Sequence, residues 1–149
     1  MAEKTILIEW PSIGAKVQCK KCVYNPAMFD KFSELLPFNA LQIHAMVAGY
    51  QLYHYAPGRF ALDDVKDIIT DQPLLNAIPD GSLLWTGLGL IGMTYGYNTE
   101  YLATQPIAQV VDEDMDTLRK VGKRVWEAVM YTKEIIEVRY STIEGGGAE

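Results

Sequence analysis

The residues of this chain best suited to moving protons are two histidines and a glutamate set among tyrosines. His44 and His54 are the only imidazoles, and imidazole is the side chain that changes charge near neutrality without help. Glu100 lies in Thr94-Tyr95-Gly96-Tyr97-Asn98-Thr99-Glu100-Tyr101, where partial burial among rings would raise its carboxyl pKa into a useful range. Tyr97 and Tyr53 offer hydroxyls that can donate to a developing oxyanion, or ring faces that stack on a ligand. These groups suit general acid–base chemistry on a small organic molecule. Each also has a plainer reading, as a half-exposed histidine, a core histidine, a surface glutamate or ordinary sheet tyrosines.

Both histidines fall in one stretch, Pro37 to Tyr55, which reads as a β-hairpin. Leu41, Ile43, Ala45 and Val47 alternate with Gln42, His44 and Met46, the period of a strand with one buried face. Ala48-Gly49 is the expected turn, and Tyr50 to Tyr55 the return strand. Pairing Val47 with Tyr50 sets His44 opposite Tyr53. It predicts a core face of Leu41, Ile43, Ala45, Val47, Tyr50, Leu52 and His54. The open face would carry Gln42, His44, Met46, Gln51, Tyr53 and Tyr55, with Phe38 and Asn39 at its mouth. A slip of one residue exchanges the faces.

Around this hairpin the chain reads as a run of strands. Glu3 to Trp10 and Lys16 to Tyr24 are expected strands, followed by a helix over residues 27–36 with Asn25 as its cap and Pro26 at its first position. Leu62 to Ile69 has helical spacing, residues 72–79 read as irregular or a short helix, and Ser82 to Trp85 is a strand. Gly87, Gly89, Gly92 and Gly96 punctuate the next apolar run. They do not form a dinucleotide-binding fingerprint, and close packing of strands in a small barrel explains them better. Pro106 to Val111 is a further strand. Met115, Leu118, Val121, Val125, Ala128 and Val129 recur at helical spacing. That helix runs to about Tyr140, or stops earlier to let β-branched Ile135, Ile136 and Val138 enter a terminal strand. The basic run Arg119, Lys120, Lys123 and Arg124 reads as a solvated helix face.

With 149 residues, 49% of them hydrophobic and 21% charged, the chain suits one domain with a sizeable core. A net charge of −6 and no basic stripe argue against nucleic acid as a partner. No segment reads as a signal or a membrane span, so the expected compartment is the cytoplasm. Cys19-Lys20-Lys21-Cys22 lacks the second ligand pair of a zinc site and reads as two reduced thiols in a strand. No motif asks for a metal or a cofactor.

The element order, with Leu36-Pro37-Phe38 at the helix-to-strand junction and Thr104-Gln105-Pro106-Ile107-Ala108 near its end, resembles the small bacterial cyclophilin-like barrels over about residues 3–111. With the helical segment added, it looks most like cucumopine synthase and its relatives. The resemblance implies an α+β fold: a cyclophilin-like closed antiparallel β-barrel at 1–111, with a C-terminal helical segment and tail at 112–149. It implies an opine-type synthase that condenses L-histidine with 2-oxoglutarate through an imine and a Pictet–Spengler-type ring closure, with no hydride donor. In that setting His44, Glu100, Tyr97 and Tyr53 would carry the proton transfers. Phe38, Asn39, Gln42, Tyr55 and Arg59 would hold substrate, the guanidinium pairing with a carboxylate. The long helix, with Trp126 and Tyr131, would join two or more copies. Two alternatives remain: a non-catalytic barrel that binds a small aromatic ligand, and a prolyl isomerase. The latter lacks the Phe-His-Arg and Gln-Gly-Gly runs of that activity.

Overall fold

The computed structural model describes residues 4–55, 65–69, 71–86 and 89–144. Among the described residues, nine strands form one antiparallel sheet that curls into a nearly closed barrel. They are β1 (Thr5–Trp10), β2 (Ala15–Lys20), β3 (Phe38–Leu41), β4 (Ile43–His44), β5 (Gly49–Tyr55), β6 (Ser82–Trp85), β7 (Leu90–Asn98), β8 (Gln105–Val110) and β9 (Glu137–Ile143). The order across the sheet is β3-β9-β1-β2-β8-β6-β7-β5-β4. Among the described residues, two longer α-helices accompany it, α1 (Pro26–Ser33) and α2 (Met115–Glu127). The expected α+β barrel of cyclophilin-like type is the fold observed. Among the described residues, no helix is long and apolar enough to cross a membrane.

The core follows from strand alternation. Ile6, Ile8 and Trp10 of β1 point inward with Val17 and Cys19 of β2, and meet Phe29 and Phe32 of α1. Helix α2 lays Leu118, Val121 and Val125 on the barrel, so its apolar stripe is covered by its own chain. The helix ends in a single π turn, Ala128–Thr132, and Lys133 adopts a left-handed conformation (φ 60°). The chain then returns as β9 between β1 and β3. The segment after residue 111 therefore supplies both a helix and a barrel strand, and it shares one core with the preceding strands. Asn25 makes no side-chain cap to α1; its amide exchanges two hydrogen bonds with the backbone of Asp71. Cys19 and Cys22 are free thiols, the first buried in β2 and the second beyond its end.

The hairpin departs from expectation in register, and the cause lies at Gln42. The strand breaks there: β3 pairs with β9, whereas β4 pairs with β5, so the two edges of the sheet are successive pieces of one segment. The backbone N–H of Gln42 donates to Ile136 O on one side, and its side-chain amide donates to Tyr53 O on the other. Its Oε1 accepts from Trp10 Nε1 at 2.9 Å. Gln42 is thus the seam of the barrel. Ile43 pairs with Tyr53 and His44 with Leu52, one residue away from the expected pairing. Gln42 and His44 consequently turn inward while Leu41 and Val47 are exposed. On the return strand Leu52 and His54 face the core as expected. The turn spans residues 45–48, and Gly49 follows with φ +124°, where an added Cβ would strike Tyr97 O.

Candidate functional site

His44 stands at the end of β4, beneath α2 and beside β7. Its Nδ1 lies 2.8 Å from the carbonyl of Ala45. A carbonyl only accepts, so Nδ1 carries the proton and Nε2 presents a lone pair. The Tyr95 hydroxyl, 2.5 Å away, donates to that lone pair. Burial lowers the His44 pKa, against a smaller opposing effect of the Ala45 hydrogen bond. Burial first, and neighbouring Tyr50 second, push the Tyr95 hydroxyl up to about 12. At neutral pH the pair is therefore a neutral imidazole and an intact phenol, one ready to accept a proton and the other to donate.

The pair opens onto a cavity of about 630 Å³, within the range of small-molecule sites. Its walls are aromatic. Trp126 of α2 meets His44 edge-on with ring centres 4.9 Å apart, and Tyr50 meets Tyr95 at 5.6 Å. Tyr97 and Lys123 also line it. Two glycines make this assembly possible. A Cβ on Gly96 would touch the Tyr50 ring at 3.0 Å, and one on Gly122 would collide with the Tyr95 ring.

A second cavity of about 320 Å³ lies alongside, the two sharing Ala45, Met46 and Val47 as a common wall. Glu100 and Tyr53 line this second space, with Gln51 and Thr86. The structure thus brings His44 and Tyr97 to one cavity, and Glu100 and Tyr53 to its neighbour.

The remaining expected residues sit elsewhere. Phe38 stacks on Tyr140 at 4.7 Å and belongs to the barrel's packing. Asn39 is exposed opposite Arg139, Gln42 is engaged at the seam, and Tyr55 is exposed at the end of β5. Arg59 lies outside the described residues. His54 repeats the arrangement of His44 in a sealed place: Nδ1 faces Tyr55 O at 2.9 Å and Nε2 the Tyr140 hydroxyl at 2.7 Å. Burial brings the His54 pKa down to about 4 and raises that of Tyr140 well above the usual phenol range.

Sequence reasoning missed Tyr95, Tyr50, Lys123 and Trp126 as cavity residues. Lys123 is exposed, as expected of a solvated helix face, and stands at the edge of the cavity; Trp126, expected at an assembly surface, lines it as well. Their three-residue spacing, which puts both on one side of a helix, was the signal available.

No protein-family model matches the chain, and no curated protein matches it. Among solved structures, the chain is similar to McbB, whose structure was determined in complex with tryptophan. The two share 33% sequence identity with a TM-score of 0.76. The similarity covers 97% of this chain and spans 45% of the McbB chain, so this chain corresponds to a little under half of that neighbour.

Proposed function

We propose that the chain is a cofactor-independent condensing enzyme, which joins an amino acid bearing an electron-rich aromatic ring to a 2-oxo acid by a Pictet–Spengler-type reaction. The observation that carries this reading is the His44–Tyr95 pair opening onto an aromatic cavity. The similarity to McbB supports the class of ligand, since tryptophan combines an amine with a nucleophilic ring carbon. L-Histidine, the amine suggested by the resemblance to cucumopine synthase, has the same two features.

The amine adds to the oxo carbon to give a carbinolamine, which loses water to form an imine. The ring carbon then attacks the protonated imine, and the ring proton leaves to restore aromaticity. One water is released, and no oxidation or reduction occurs. The Tyr95 oxygen takes the ring proton as its own proton passes to His44 Nε2, so that the pair acts as one base, and the departing oxygen receives the proton drawn from the ammonium. Tyr50, Tyr97 and Trp126 hold the ring by stacking. Glu100, from the adjoining cavity, takes a proton from the ammonium so that the amine can attack, and Tyr53 orients the oxo acid there.

The test is incubation with L-histidine or L-tryptophan and 2-oxoglutarate, without nicotinamide cofactor. Mass spectrometry should find a product equal to the two reactants less one water. Saturable binding of either amino acid with no product from any pairing would favour a non-catalytic binding barrel instead.

A further inference from the structure

We infer that Lys123 is the anchor for the carboxylate of the ligand in the larger cavity, so that the site takes intact aromatic amino acids in preference to the amines derived from them. The choice of an aromatic amino acid rests on the function proposed above; the anchor itself rests on the cavity. Lys123 lies on α2 three residues before Trp126, and both line the same space. The two guanidiniums of the helix are occupied, Arg119 by Asp116 at 3.1 Å and Arg124 by Glu134, and the other ammonium, that of Lys120, does not line this cavity. Lys123 has no hydrogen-bond or ion-pair partner among the described residues. It is also the one ammonium or guanidinium among the described residues lining this cavity, and no carboxylate lines it.

A lone cation at the edge of an apolar, ring-lined space selects an anion attached to an aromatic body. The need for it is sharpened by the chain's net charge of −6, which otherwise disfavours an incoming carboxylate. Placing the carboxylate at Lys123 and the ring against Trp126 also sets a direction. The ring carbon then lies toward His44, which touches Trp126, and the ammonium points away from the lysine and toward the shared wall with the Glu100 cavity.

The test is calorimetric titration of the intact chain with L-tryptophan, indole-3-propionate and tryptamine. Lys123→Gln and Lys123→Arg are titrated in parallel. The wild-type chain should bind the two carboxylates at least tenfold more tightly than tryptamine. Lys123→Gln should weaken both carboxylates about tenfold and leave tryptamine unchanged, and Lys123→Arg should restore most of the difference. Three outcomes would overturn the anchor: unaltered carboxylate binding in Lys123→Gln, equal wild-type affinity for tryptophan and tryptamine, or no binding of either carboxylate. Carboxylate binding that depends on Lys123, with no condensation product from any pair, would sustain the anchor and remove the proposed reaction. Condensation of tryptamine as fast as tryptophan, indifferent to Lys123, would do the reverse.

Discussion

The Tyr95 hydroxyl and the Nε2 atom of His44, 51 residues apart in sequence, meet at 2.5 Å on the wall of the larger cavity. The contact fixes which nitrogen of the imidazole is basic, because Nδ1 is already committed to Ala45. Tyr95→Phe keeps the ring and removes only the donor. Turnover should fall by about 10²-fold with ligand affinity nearly intact, and His44→Ala should fall at least as far. Turnover equal to wild type in both variants would take the proton transfers away from this pair.

The pH profile follows from the direction of the His44 shift. A proton acceptor must be neutral, and burial lowers the pKa of this histidine from 6.5. The neutral form therefore persists to more acidic pH than for an exposed histidine. The acidic limb of kcat/KM should lie below pH 6.5, and a limb at or above that value would contradict the assignment.

Glu100 makes a separate prediction because it lines the neighbouring space. Glu100→Gln should lower turnover by about 10²-fold while leaving tryptophan binding unchanged, since the carboxylate acts on the amine and not on the ring. A loss of binding equal to the loss of turnover would make Glu100 a simple binding contact.

The buried His54 should show itself in stability rather than in rate. Its folded pKa is lowered to about 4, so between pH 6.5 and 4 the unfolded chain binds more protons than the folded one. Stability is therefore greatest above pH 6.5 and falls as pH drops through that window, by about 3 kcal/mol once complete. Denaturant midpoints measured from pH 7 to 4 should show the decline. In His54→Gln the decline should be shallower, and an equally steep one would assign it to other groups.

Gly122 tests how tightly the site is held. By helix propensity alone, Gly122→Ala on α2 would stabilise the chain by about 1 kcal/mol. The new Cβ would instead collide with the Tyr95 ring. Displacing that ring breaks the contact with His44, so both thermal stability and turnover should drop, the former by about 1–3 kcal/mol. A more stable and fully active Gly122→Ala would mean that Tyr95 yields without consequence.

The strands were largely legible because their signal is local. β1, β6 and β8 fall where alternation and turn residues placed them. The register of the hairpin was not legible, because alternation assigns polar residues outward and cannot see distant partners. Gln42 is buried for Trp10, 32 residues earlier, and His44 for Tyr95. Both are polar side chains satisfied inside by groups remote in sequence. For the same reason the open face expected of Gln42, His44, Tyr53 and Tyr55 does not exist as one surface. His44 keeps its place at the cavity by facing inward. The end of α2 was equally ambiguous, and the β-branched run after it decided for a strand.

That strand, β9, pairs with β1 from Thr5–Ile143 to Glu9–Arg139, and holds β3 on its other edge. On a ribosome the first strand must therefore wait, one edge bare, until almost all the chain described here has emerged. Synthesis stalled before residue 137 would release a barrel missing a stave. Its β1 and β3 would then be free to recruit strands from neighbouring molecules and aggregate.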